Sequence, residues 1–323
     1  MRVRYLNSKV LITGCSGFVG QHFLEVEKNS SLDILSAVRK GSYKSSRDTV
    51  IVGDINANTD WSDALIDVDV VIHMAARAHI MNDADVDPLK AYREVNTEGA
   101  LNLARQAAEK GIKRFVFVSS IKVNGESTTG MTSFTENNAL APQDPYGFSK
   151  AEAEDGLRTI SEKTAMEVVI IRPPLVYGPG VKASFRNLMK LALSNLPLPF
   201  GAIHNARSMV YVGNLVDFIS KCVVHPAAKN QTFIVSDGLD LSLCEMLTLM
   251  RSSMGKAVRL FSVPVYIFRF LGMLAGKRDV IDRLVGSLQV DSGKAKQLLD
   301  WKPPYSVEQG IKATVDSFLK GDK

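Results

Sequence analysis

Short, continuously apolar runs alternate with amphipathic ones through the first half of the chain. "KVLITG", "LDILSAVR", "TVIVGD", "VDVVIHMAA", "RFVFVSS" and "MEVVIIRP" predict buried strands. Helices are expected between them: from Gly17 to about Lys28, around Trp61 to Ile66, and along "PLKAYREVNTEGALNLARQAAEKG", where Gly111 is a natural stop. A further helix is expected to begin near "DPYGFSK" (144 to 150) and to run to about Lys163. Continuous apolar strands separated by helices imply a parallel sheet covered on both faces, hence an α/β, doubly wound fold.

The pattern changes after Pro173. Residues 174 to 206 carry Pro174, Pro179, Pro197, Pro199 and several glycines around one helix, which suits a smaller lobe lying over a ligand. "SMVYVGN" and "LVDFISKCVV" read as a return to the main sheet, and the last third is helical. The expected organisation is a nucleotide-binding domain over residues 1–174, with a returning segment near 208–238, and a mainly substrate-binding cap over 175–323. "FSVPVYIFRFLGMLAG" (261 to 276) is the most apolar stretch. Pro264 and Arg269 interrupt it and it is too short to span a bilayer, so a buried or groove-lining helix is expected.

Composition changes this picture little. The 323 residues are 46% hydrophobic and 23% charged, as in ordinary globular proteins, and the net charge of +5 comes from Lys and Arg scattered without a basic run of the kind that binds nucleic acid. Cys15, Cys222 and Cys244 are odd in number and lack metal-ligand spacing. No metal is expected, and neither is a nucleic-acid partner or membrane insertion. With no secretory leader recognisable in "MRVRYLNSKVLITG", a cytoplasmic location is expected.

Two stretches carry chemistry. "TGCSGFVG" places Gly14, Gly17 and Gly20 directly after the first strand and at the start of a helix. That is what a pyrophosphate requires: a tight turn, room for close backbone approach, and free helix N-terminal amides. At the end of the second strand, where a carboxylate would grip the ribose hydroxyls of NAD, stand Arg39 and Lys40, which favour the 2′-phosphate of NADP(H); NAD(H) remains open, as does a simple pair of solvated charges. Asp54, ending "TVIVGD", suits either the adenine amino group or a helix N-cap. In "DPYGFSK", Tyr146 and Lys150 lie one helical turn apart. An ammonium beside the phenol is expected to lower its pKa and make it a proton donor and acceptor; the same spacing also suits an ordinary surface pair.

With the glycine turn, "HMAA" after the fourth strand, "VSS" after the fifth, YxxxK and "RPPLVYGPG", the chain resembles the extended short-chain dehydrogenase/reductases over essentially its whole length. Within them it looks most like the sugar-nucleotide branch of UDP-glucose 4-epimerase-like enzymes, and within those like UDP-4-keto-hexosamine reductases of surface-polysaccharide pathways. The resemblance implies a Rossmann-type sheet and a catalytic set of Ser120, Tyr146 and Lys150. Ser120 is placed by counting back five residues from Gly125. The cofactor contacts it implies are Gly14, Gly17, Phe18, Val19, Gly20, Arg39, Lys40, Asp54, Ile55, Ala75, Ala76, Tyr146, Lys150 and Pro173.

On the substrate side the resemblance points to Ser120, to Asn124 in place of the family's tyrosine, and to Arg207 ("RSMVYV") and Arg283 ("DRLVGSL") as diphosphate ligands; each arginine also fits a surface salt bridge. "PLPFG" (197 to 201) resembles the edge lining the uracil, and Leu175 stands where many relatives have an asparagine. His79 and Met81 suit either the sugar or packing. Dehydratase relatives carry an Asp-Glu pair after the catalytic hydroxyl, whereas Ile121 and Lys122 follow here. The expected reaction is therefore reduction at C4 of a 4-keto-6-deoxy UDP-sugar, the alternative a 4-epimerase with tightly bound NAD, and the remote alternative a non-catalytic dinucleotide sensor. Pairing into a homodimer is expected through the helices around "ALNLARQAAEKG" and "AEAEDGLRTI".

Overall fold

The computed structural model describes residues 8–30, 32–39, 48–78 and 87–321. Its strands are β1 Lys9–Thr13, β2 Asp33–Val38, β3 Asp48–Ile51, β4 Val70–His73, β5 Arg114–Val118, β6 Glu167–Arg172, β7 Leu175–Tyr177, β8 Met209–Tyr211 and β9 Thr232–Ile234. Seven of them form one sheet in the order β3-β2-β1-β4-β5-β6-β9, every pairing parallel. The order reverses beside β1, which puts the crevice for a dinucleotide at the carboxyl ends of β1 and β4. This is the doubly wound α/β fold read from the alternation.

The helices are α1 Phe18–Val26, α2 Pro88–Arg93, α3 Ala100–Glu109, α4 Pro145–Lys163, α5 Ala183–Leu193, α6 Val212–Val224, α7 Leu243–Ser253, α8 Val265–Leu274, α9 Arg278–Val285, α10 Gly293–Leu299 and α11 Val307–Leu319. Successive strand residues point to opposite faces. Val10 and Ile12 join the core under α1 and α6, while Leu11 joins the one under α3 and α4. A third cluster, with Phe185, Met189, Leu247, Met250 and Ile311, holds α5, α7 and α11 together.

Four expectations need correction. Residues around Trp61 to Ile66 form turns rather than a helix, anchored by a fully buried Trp61. The long amphipathic run is not one helix: α2 and α3 are joined by a π-helical turn, Glu94–Gly99, which lets Asn96 face inward. "SMVYVGN" does not return to the main sheet, because β8 pairs only with β7; the strand that rejoins is β9, paired with β6. The apolar stretch 261 to 276 forms α8, but much of it is not buried. Tyr266, Phe270, Leu271, Met273 and Leu274 are exposed.

Candidate active site

The turn after β1 is built for close approach. Gly14 has φ +74°, and a Cβ there would lie 2.6 Å from the Ala75 nitrogen; one on Gly20 would lie 2.2 Å from the Gly14 oxygen. Larger residues would push α1 off the sheet. Gly17 occupies the N-cap of α1 without a side-chain cap, so the first amides of the helix stay available to an anion. Across the crevice, the Thr13 hydroxyl accepts from the Ala75 N–H (3.2 Å) and hydrogen-bonds His73 Nδ1 (2.8 Å), fixing the "HMAA" loop. Phe18 and Val19 open α1, Ala75 and Ala76 follow β4, and Ile55 follows β3; all five are half-buried. The backbone cradle and the open helix terminus fit a dinucleotide pyrophosphate.

At the adenosine end, Arg39 and Asp54 are both exposed and their charged atoms lie 3.8 Å apart. Asp54 caps no helix; its backbone carbonyl accepts from the Thr59 hydroxyl. Lys40, His79 and Met81 lie outside the described residues.

The catalytic candidates converge on the start of α4. Asp144 caps the helix by accepting from the Gly147 N–H (2.7 Å), and Pro145 takes the first position, where its missing N–H costs nothing. A Cβ on Gly147 would lie 2.9 Å from the Lys122 carbonyl. Only glycine lets α4 press this closely on the turn that carries Ser120. Lys122 locks the same junction by pairing with both Asp144 and Glu126. The result sets the Ser120 side chain beside the Tyr146 phenol, whose proton affinity it lowers.

One turn further, Lys150 is buried, donates from Nζ to the Val118 carbonyl (2.9 Å), and sits 4.4 Å above the Phe117 ring. Burial lowers its pKa to about 7, against the raising effect of Glu154. The expected depression of the tyrosine pKa is not found. Part of the ring remains accessible, yet desolvation, aided by the negative charge of Asp144, pushes the phenol well above its usual value, with Ser120 pulling the other way. The physical reason is that burial acts on both groups: it weakens the ammonium that was to charge the phenol. His73, buried beside Lys150, is held to about 3 by desolvation and that same charge, so it stays neutral.

Beneath the site lies a buried ionic cluster that sequence reasoning missed. Glu154, fully buried, accepts from the Ser119 hydroxyl (2.6 Å), from Arg172 Nη2 (2.6 Å) and from Arg158 Nη2 (3.0 Å). Arg172 Nη1 then donates to the Asn124 side-chain oxygen (3.1 Å), and the Asn124 amide donates to the Thr135 carbonyl. Asn124 is thus not a wall of the substrate pocket; both ends of its side chain are engaged and it is 2% exposed. Pro173 is likewise buried, and its carbonyl accepts from the Ile121 N–H, which holds the Ser120 turn. The signal for Glu154 was its i+4 spacing from Lys150 on α4.

The two substrate-side arginines do come together. Arg207 and Arg283 line one cleft of about 330 Å³ with Glu126, Ser127, Gln143, Asp282 and a third arginine, Arg269. Arg207 Nη1 donates to the carbonyls of Arg283 (2.8 Å) and Gly286 (3.2 Å), and its other guanidinium nitrogens have no hydrogen-bond partner among the described residues. Arg283 stays 66% exposed and pairs loosely with Glu126 at 3.4 Å. Glu126 also reaches Lys122, so the cleft adjoins the Ser120 turn.

A parallel sheet with a glycine cradle, a Tyr-x-x-x-Lys helix and a serine beside that tyrosine define a short-chain dehydrogenase/reductase of the extended type. Residues 10–236 match the NAD dependent epimerase/dehydratase family, and the chain belongs to it. It is 47% identical to the UDP-glucose 4-epimerase of Vibrio cholerae, over 99% of this chain and 98% of that one. It is 28% identical to the N-acetyl-alpha-D-glucosaminyl-diphospho-ditrans,octacis-undecaprenol 4-epimerase of Escherichia coli O157:H7, over 96% and 95%. Among solved structures, UDP-glucuronic acid 4-epimerase from Bacillus cereus in complex with NAD shares the fold, with a TM-score of 0.77 at 22% identity over 98% of this chain and 100% of that one.

Proposed function

We propose that this enzyme is an NAD(P)-dependent oxidoreductase acting at C4 of a UDP-linked hexose or N-acetylhexosamine. The observation that carries the reading is the convergence of Ser120 and Tyr146 at the start of α4, one turn from a buried Lys150 held on the Val118 carbonyl. A bound nicotinamide supplies or accepts the hydride at C4. The protein's own groups handle the oxygen. Ser120 orients it, Tyr146 gives or takes its proton, and Lys150 anchors the ribose side of the site while setting the local charge. Arg207 and Arg283 grip the diphosphate that joins sugar and carrier, a group common to the substrates named for both 4-epimerase relatives.

Within that chemistry, 4-epimerisation is supported by the 47% identical relative, and the NAD named in related structures is the cofactor it would retain. Net reduction of a 4-keto sugar, for surface polysaccharide synthesis, is the second reading. Arg39 favours it, because among the described residues the end of β2 offers a cation and no carboxylate to the adenosine ribose. Dehydration is disfavoured by both readings, since Ile121 and Lys122 follow Ser120 and the lysine is tied up in ion pairs. Incubating the protein as purified with UDP-glucose and UDP-GlcNAc, without added dinucleotide, separates the two. Appearance of the C4 epimer supports epimerisation; consumption of NADPH in proportion to a supplied 4-keto sugar, with no epimer, supports reduction. Absence of both would overturn the C4 assignment.

We extend the proposal to a homodimer in the cytoplasm, paired through α3 and α4. The exposed charged pair Arg93–Glu152, joining the segment before α3 to α4, lies beside that face. Sedimentation at micromolar concentration tests it, and a monomer there refutes it.

A further inference from the structure

The helix α8 has two apolar faces, and only one is used by the fold. Val265, Phe268 and Gly272 face inward: Phe268 stacks on Phe200 at 5.6 Å, and a Cβ on Gly272 would come within 2.6 Å of the Ile281 side chain of α9. Tyr266, Phe270, Met273 and Leu274 repeat at i, i+4, i+7 and i+8, so they share the opposite face. They are 70%, 56%, 56% and 67% exposed. The tight contact between α8 and α9 prevents the helix from turning that face inward. Phe261 and Val280, in the segments before and after α8, are exposed as well.

The charge around this surface is predominantly positive. Residues 256–283 contain six Lys and Arg against two Asp, a net +4 in a chain whose total is +5. Asp282 is shared between Arg269 (3.4 Å) and Arg278 (3.6 Å). Lys277 and Arg259 flank it in the sequence and are exposed.

We infer that α8 and α9 dock this enzyme peripherally on an anionic lipid bilayer, with the exposed face of α8 at the headgroup boundary. An apolar helix face bordered by cations is what an interfacial helix requires: aromatic and aliphatic side chains enter the acyl boundary while Lys and Arg meet the lipid phosphates. A second copy is a poorer occupant, because a twofold contact would set the same cations against one another. No helix among the described residues is long and apolar enough to cross a membrane, and the ten-residue α8 needs only to lie on one. Docking would bring the arginine cleft, lined by Arg269 of α8 and by Asp282 and Arg283 of α9, to the headgroup level. The inference does not depend on the proposed reaction.

The test is co-sedimentation of the full chain with vesicles of phosphatidylglycerol and phosphatidylethanolamine, and with vesicles of phosphatidylcholine alone. The bound fraction is expected to be about fivefold higher or more on the anionic vesicles and to fall as salt is raised. In the double variant Phe270→Glu, Leu274→Glu, it is expected to drop about fivefold or more while melting temperature and activity on soluble substrate stay unchanged. Equal pelleting with both vesicle types, or a double variant that binds as wild type does, overturns the inference. So does an absence of vesicle binding together with a dimer that the double variant dissociates, which would assign the face to a second copy. Because sedimentation needs no substrate, these outcomes are read separately from any failure of the C4 chemistry.

Discussion

Two regions hold arginine against glutamate and treat the pair in opposite ways. Under α4, Arg172 and Glu154 are both fully buried and bonded at 2.6 Å. In the cleft, Arg283 faces Glu126 at 3.4 Å and keeps most of its surface in water. The first arrangement fixes geometry and field around Lys150, whose proton affinity depends on what surrounds it. The second keeps charge available, since an arginine committed to a carboxylate cannot also clamp a phosphate. On the proposed reading, closure serves the proton chemistry and an open guanidinium serves anion binding.

The largest effect should come from breaking the closed pair. Glu154→Ala leaves Arg172 charged and unmatched in the interior, an error that typically costs about 3–5 kcal/mol. Urea denaturation should show a midpoint shift of that size, and a near-wild-type midpoint would mean the cluster is hydrated. The open side should respond differently: Arg283→Ala is expected to raise KM for the sugar nucleotide about tenfold with kcat nearly unchanged, the signature of lost uniform binding. Equal losses in kcat and kcat/KM would place Arg283 in the chemistry instead.

A smaller effect sharpens the closed side. Lys150 titrates at about 7, below its ordinary 10.5, so its ammonium is lost as pH rises through that value. With Tyr146 still protonated there, kcat/KM in the reductive direction should decline above about pH 7. Glu154 is the group that raises the Lys150 pKa, so in Glu154→Gln the decline should move to lower pH; an unmoved limb would assign it to another residue. The smallest effect is expected at the exposed Arg39, where Arg39→Asp should weaken NADPH relative to NADH without altering stability. An unchanged preference removes the case for reduction.

The main sheet was legible because its strands are apolar on both sides, a pattern that survives without tertiary context. The glycine cradle and the Tyr146–Lys150 spacing were legible for a related reason, since each is set by residues within a turn of one another. Asn124 was misread because the partner that engages it, Arg172, lies 48 residues away on β6. The shift at Tyr146 was misjudged in sign because a spacing rule counts charges and not desolvation. The face of α8 escaped notice because apolar character alone does not tell which side of a helix the fold will cover. Likewise Arg269 entered the cleft only through the packing of α8 on α9.

The central claim is that Tyr146 carries the proton of the C4 oxygen as hydride passes to or from a nicotinamide. Mixing dinucleotide-loaded protein with the sugar nucleotide and following the near-ultraviolet absorbance of reduced nicotinamide tests it in a single turnover. The wild type should show the absorbance rise; Tyr146→Phe should bind the dinucleotide equally well and slow the rise about 10²–10⁴-fold. A Tyr146→Phe protein that reduces nicotinamide at the wild-type rate would contradict the account.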